Sequence, residues 1–184
     1  IIKEEYDKLR NEILSPVLIF DVGTGSGCAA ISVALDCKNA EVLGLDISKE
    51  ALCVAITNKN HYKLTNLEYM TSDLLNRVSN PAPVPDIIMA NLPYVDRNWE
   101  WRSPEIEFEP SIALFADKGG LALIYKLIRQ IHAKWPKLFE EKTKHHKYLL
   151  IESDMSQQEK IIRYAKRYGF KYIDKCDLIT FFEY

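Results

Sequence analysis

The chain has almost no charge imbalance: 24 Lys and Arg against 26 Asp and Glu leave a formal net charge of -2. It therefore lacks the global basic field that gathers a long nucleic acid, and such a partner would need a local patch. Cysteine is scarce and poorly spaced for chemistry. Cys28, Cys37, Cys53 and Cys176 form no CxxC pair and have no histidine at metal-ligand spacing, so no metal is expected. Several sit in apolar contexts that suit small core residues, and the set reads as the reduced thiols of a cytoplasmic protein. No apolar run approaches a bilayer span, and the opening IIKEEYDKLRNEIL is too charged for a signal peptide, so no membrane partner is expected. Internal repeats and low-complexity tracts are missing too, which argues against a solenoid.

What remains is a globular inventory of 184 residues, 47% hydrophobic and 27% charged, enough for one sizeable core. Residues 1–15 are expected to form a linker helix, with Tyr6, Leu9 and Ile13 at helical spacing and Pro16 ending it; one domain then spans 16–184. VLIFDVG (17–23), EVLGLDIS (41–48), LEYMTSD (67–73), DIIMAN (86–91) and HKYLLIES (146–153) are short apolar runs, most of them ending in an acid or amide, as strands buried on both faces do. Helices are expected between them: over CAAISVAL (28–35), after Ser48 as a cap, over the apolar repeat from Leu121 to Trp135, and from a capping box in SQQE (156–159) to Gly169. The tail FKYIDKCDLITFFEY reads as a hairpin. Strands alternating with helices predict an α/β fold, a mostly parallel sheet with helices on both faces and a C-terminal antiparallel hairpin. The segment 92–118 has no clear periodicity, and its Trp99, Trp101 and Phe108 argue for a packed loop.

Ligands of open α/β sheets gather at the carboxyl ends of the strands, which places Asp21, Asp46, Asp73 and Asn91 on one rim. In DVGTGSG the residues Gly23, Gly25 and Gly27 allow a sharp turn and close backbone approach just before a helix. Asp46, about 20 residues on, stands where a carboxylate accepts ribose hydroxyls. The spacing G-x-G-x-G departs from the dinucleotide fingerprint G-x-G-x-x-G, so an adenosine-type cofactor other than NAD fits better. Each acid taken singly could equally be a helix cap.

The runs FDVGTGSGCAAISVAL, LGLDISKEAL, SDLL and IIMANLPYV, in this order, resemble the S-adenosylmethionine-dependent class I methyltransferases, a Rossmann-like fold. SPEIEFEPSIALFADKGGLALIYKLI (103–128), YLLIES and YGFKYIDKCDL are further similar to the enzymes that methylate N5 of the glutamine in the GGQ loop of peptide-chain release factors. That resemblance implies a cofactor set of Asp21, Gly23, Thr24, Gly25, Gly27, Asp46, Ile47, Asp73, Leu74 and Asn91. It implies S-adenosyl-L-methionine as methyl donor, S-adenosyl-L-homocysteine as product, no metal, and a release factor as protein partner.

Asn91, Leu92, Pro93 and Tyr94 match the family's Asn-Pro-Pro-Tyr acceptor motif, with Leu92 in place of its first proline. Amide nitrogen is a poor nucleophile, so the site must mainly position it. The Asn91 side-chain oxygen and the Leu92 carbonyl can accept its two N–H groups, Pro93 fixes the turn, and Tyr94 offers a flat surface. Asn-Leu-Pro-Tyr also occurs in ribosomal-RNA adenine dimethyltransferases, whose acceptor is likewise a planar nitrogen. Two alternatives therefore stand beside glutamine methylation: an adenine-N6 methyltransferase, and a cofactor-binding module without turnover.

Overall fold

A computed structural model of the chain describes residues 16–79, 83–99, 110–140 and 147–184, the side chains of 139 and 140 excepted. The expected helix within 1–15, Trp101 and the segment 103–109 with Phe108 lie outside the described residues.

Seven strands form one sheet: β1 (Val17–Val22), β2 (Ala40–Asp46), β3 (Leu67–Thr71), β4 (Ile87–Ala90), β5 (Tyr148–Glu152), β6 (Lys171–Cys176) and β7 (Ile179–Glu183). Their spatial order is β3-β2-β1-β4-β5-β7-β6. The first five are mutually parallel, while β7 runs antiparallel to both β5 and β6. Neighbouring residues serve opposite faces, as the two-residue strand period requires. Phe20, Val22, Ile88, Ala90, Leu149 and Ile151 pack into one core, and Val17, Ile19, Ile87, Met89 and Leu150 into the other. Continuous apolar runs are thus the signature of a sheet covered twice.

Helix α1 (Cys28–Asp36) covers the second face with Ala30, Ile31, Val33 and Ala34, beside α2 (Lys49–His61). The Ser48 hydroxyl accepts the Ala51 N–H at 3.1 Å, the expected cap of α2. A short helix α3 (Ser111–Leu114) precedes α4 (Ala122–Lys134), which buries Ile124, Leu127, Ile128 and Ile131 on the first face. A single turn, α5 (Lys137–Glu140), follows Pro136. The last helix, α6 (Met155–Lys166), adds Ile161, Ile162 and Ala165 to that core.

Two details differ from expectation. The α6 capping box is Asp154 with Gln157, two residues earlier than Ser156 with Glu159: Asp154 accepts from Ser156 N at 2.8 Å and Gln157 Oε1 accepts from Asp154 N at 3.1 Å. A carboxylate is the stronger acceptor at a helix amino terminus, so it takes the cap ahead of the hydroxyl. Of the four cysteines only Cys37 is buried; the other three are exposed, and none is in a disulfide. Among the described residues no helix is long and apolar enough to cross a membrane, and no cluster of three or more metal-ligating side chains exists.

Chain order and spatial order together locate the site. From β1 the chain builds outward through β2 and β3, then returns to build β4 and β5 on the other side. The crevice opened by this reversal lies at the carboxyl ends of β1 and β4.

Candidate active site

Val22 and Ala90 are register partners at the ends of adjacent strands, so Gly23 and Asn91 leave the sheet side by side. Their backbones nearly touch. A Cβ built on Gly23 would lie 2.9 Å from Leu92 Cδ2 and 3.1 Å from the Asn91 carbonyl oxygen, and Gly23 holds φ +81°. Both facts require glycine. Gly27, also left-handed at φ +85°, is the N-cap of α1, where a Cβ would fall 2.2 Å from the Tyr69 hydroxyl oxygen. Gly25 differs: at φ +56°, a Cβ there would meet nothing within 4 Å.

That open space belongs to a cavity of about 300 Å³. Gly23, Gly25, Leu45, Asp46, Ile47 and Ser48 line one side, Ser72, Asp73 and Leu74 a second, and Asn91, Leu92 and Pro93 a third. Pro110, Ile112, Ala113 and Leu123 close it. The ends of β1, β2, β3 and β4 therefore converge on one concavity. Ile47 and Ile112, 56% and 63% exposed, give its walls apolar surface.

Asp46 both holds the loop and faces the cavity. Its Oδ2 accepts the Gly25 N–H at 2.8 Å and its Oδ1 the Ser48 N–H at 2.9 Å. Each carboxylate oxygen keeps a second lone pair, so two hydroxyls of a ligand can still be accepted. Asp73 pairs with Lys126 Nζ of α4 at 2.5 Å and accepts from Asn76 Nδ2 at 3.2 Å. Both ends of the ion pair are more than one third exposed, so it orients Asp73 more than it stabilises the fold. The next residue, Leu74, holds φ +51°, a left-handed conformation that costs a non-glycine residue roughly 1 kcal/mol.

Asp21, Thr24, Gly27 and Tyr94 are not among the residues that line the cavity. Asp21 is 3% exposed and accepts the Thr24 hydroxyl at 2.6 Å. Burial pushes the Asp21 carboxyl up to about 6, against the lowering effect of the Thr24 hydrogen bond. The half-buried Tyr94 directs its hydroxyl to Glu152 Oε1 at 3.4 Å. Leu92, 4% exposed, packs its side chain on the glycine loop, so its difference from proline falls partly on a packed surface.

Sequence reasoning missed the wall formed by Pro110, Ile112 and Ala113. It is joined to the Asn91–Tyr94 turn by a bridge between Val95 and Phe115, with Val95 N donating to Leu114 O at 2.9 Å and Ala116 N to Val95 O at 3.2 Å. An apolar SIAL inside an otherwise aperiodic stretch was the available signal.

S-adenosylmethionine is an elongated molecule with an adenine, a ribose and a charged amino-acid end. The cavity suits it: a Cβ at Gly25 would occupy open space in the glycine loop, Asp46 offers carboxylate lone pairs, and apolar walls flank the rest.

A family model described as a methyltransferase domain matches residues 15–98, and the sheet order is that of the Rossmann-like class I methyltransferase fold. A Streptococcus mutans protein solved in complex with SAH shares this fold, with a TM-score of 0.58 over 99% of this chain and 96% of that one at 13% identity. More specifically, the chain is related to the release factor glutamine methyltransferases. It is 42% identical to that of Lactococcus lactis over 114 residues, 61% of this chain and 41% of the relative. It is 30% identical to that of Buchnera aphidicola over 171 residues, 89% of this chain and 57% of the relative. The chain thus spans about half the length of these curated relatives.

Proposed function

We propose that this protein transfers a methyl group from S-adenosylmethionine to the N5 amide nitrogen of a protein glutamine, the acceptor being the GGQ loop of a peptide-chain release factor. The observation that carries the reading is the placement of Asn91, Leu92 and Pro93 on the wall of the same cavity as Gly23, Gly25, Asp46 and Asp73. A donor pocket and an acceptor turn share one concavity. The relation to release factor glutamine methyltransferases over 89% of the chain supports the acceptor, and the SAH-bound structure of like fold supports the donor.

The donor, when bound, supplies an electrophilic methyl on a sulfonium. Asp46 would accept its ribose hydroxyls, and Ile47, Ile112 and the backbone at Asp73–Leu74 would hold its adenine. Gly23 and Gly25 let the main chain approach its amino-acid end. On the acceptor side, the Asn91 side-chain oxygen and the Leu92 carbonyl each accept one N–H of the incoming carboxamide. This pins the nitrogen and favours the positive charge that develops on it as the N–C bond forms. Pro93 limits the freedom of the turn, and the Tyr94 ring supports the planar amide. The amide proton leaves after transfer, when nitrogen acidity is high, so no strong base is required.

The test offers labelled donor to three acceptors in parallel: a GGQ-containing release factor, its Gln→Ala form, and ribosomal RNA. Label on the first alone is the expected result. Label in RNA, or label surviving loss of the glutamine, overturns the assignment.

A further inference from the structure

The Asn91–Tyr94 turn is fixed at its start by β4, whose last residue, Ala90, sits between Val22 of β1 and Ile151 of β5. At its far end a side chain distant in sequence takes hold. Gln157 is 3% exposed, and its Nε2 donates to Tyr94 O at 2.8 Å and to Gly119 O at 2.7 Å. Its Oε1 accepts Asp154 N at 3.1 Å. Both amide hydrogens and one oxygen lone pair are therefore used. The reverse amide orientation would set an oxygen against two carbonyls and an NH₂ against an N–H, so the network admits one assignment.

The surroundings are shaped around this amide. Lys118, Gly119 and Gly120 hold φ +59°, +69° and +79° in succession. A Cβ on Gly120 would lie 1.8 Å from Tyr94 O and 2.5 Å from Gln157 Nε2. Only a residue without a side chain lets the carbonyl and the carboxamide meet. Capping α6 explains none of this. A capping box is served equally by glutamate or glutamine, whereas two bonds to carbonyl oxygens demand an NH₂.

We propose that Gln157 is a positioning residue: its carboxamide locks the peptide that follows Tyr94 and so fixes the exit of the acceptor turn, holding Asn91 and Leu92 in the register that orients the incoming amide. The proposal rests on the reading of Asn91–Tyr94 as the acceptor turn. Gln157 touches neither donor nor acceptor. It acts through the Tyr94 carbonyl, and it couples the start of α6 and the turn before α4 to the site.

Gln157→Glu separates the two roles. The variant keeps an oxygen to cap Asp154 N but places a carboxylate oxygen against two carbonyls. The expected result is a loss in kcat on the order of 10²-fold, the scale of a misplacement of about 1 Å, with donor Kd within a few fold of wild type. The ratio of variant to wild-type kcat should rise as the buffer is made mildly acidic, because a protonated carboxyl regains one donor. Equal kcat in the two proteins overturns the proposal. So does an equal loss of kcat and donor affinity. Should Gln157→Glu not fold, Gln157→Met is read for the same split between kcat and donor Kd. If wild type itself transfers to no glutamine, the acceptor assignment fails instead. The clamp is then judged by NMR: Asn91 carboxamide signals that stay in place in the variant refute it, and signals that move support it.

Discussion

The two ends of the parallel strands each carry a cavity, and the larger one is at the end away from the candidate site. At the amino ends about 430 Å³ lies among Leu18, Asn39, Glu41, Asn66 and Glu68; at the carboxyl ends the volume is about 300 Å³. Polar groups at the amino end bond within the fold. Asn66 Nδ2 donates to the carbonyls of Ala34 and Ala40, each at 3.1 Å, and Glu68 pairs with Lys59 at 2.8 Å. Nearby, Asp86 is locked by Lys147 Nζ and by Leu18 N at 2.8 Å, tying the starts of β1, β4 and β5. The carboxyl end is built otherwise. Left-handed backbone collects there at Gly23, Gly25, Gly27 and Leu74, and Asp46 spends one lone pair per oxygen on the loops while keeping another for a ligand. Size does not mark the site; unspent hydrogen-bonding capacity held on strained, fixed backbone does.

Substitutions should therefore divide cleanly between the two ends. Asp86→Ala strands a mostly buried Lys147 and is expected to cost about 3–5 kcal/mol of stability while leaving the transfer rate per folded molecule unchanged; urea unfolding and single-turnover rates read both. A loss of rate in the folded fraction would erase the contrast. Asn91→Ala is its counterpart. Transfer should fall on the order of 10²–10³-fold with donor affinity within a few fold in calorimetry; an equal loss of both would make Asn91 structural.

The Asp21 carboxyl beneath the loop gives a pH signature. Its pKa, raised to about 6 in the fold from an ordinary 3.8, means the folded state binds the proton more tightly than the unfolded chain. Its contribution is therefore full at the acid side of 3.8 and is lost as pH rises through 6, by about 3 kcal/mol for a shift of this size. Unfolding of ligand-free protein across this window should show the decline, and Asp21→Asn should flatten it. Gly25→Ala should weaken donor binding about tenfold through lost space and left-handed strain, with stability changed by about 1 kcal/mol. Smallest is Tyr69→Phe. The Tyr69 hydroxyl is buried without a hydrogen-bond partner, and burial pushes it up to about 12, so its removal should be neutral or stabilising by up to about 1 kcal/mol in thermal unfolding.

Much of this layout was legible in the sequence because the sheet is parallel and covered on both faces. Ile19, Phe20, Ile87 and Ile88 must all be apolar, and the groups where such runs stop mark the functional rim. Asp46 and Asn91 were readable for that reason. The α6 cap slipped by two residues because SQQE satisfies the same motif as DMSQ, and only the backbone decides which acceptor reaches an N–H. Ile112 and Ala113 were signalled only by the apolar SIAL in an aperiodic stretch, and Gln157 was out of reach. Its role depends on its contact with Tyr94, 63 residues apart, which no local period encodes.

Whether the carboxyl-end rim methylates a glutamine amide with Asn91 holding the acceptor is read by tandem mass spectrometry of the GGQ peptide of a release factor incubated with S-adenosylmethionine and either wild type or Asn91→Ala. One added methyl on the glutamine side-chain nitrogen is expected with wild type and none with the variant. A methyl on any other residue, or full methylation by the variant, would contradict that reading.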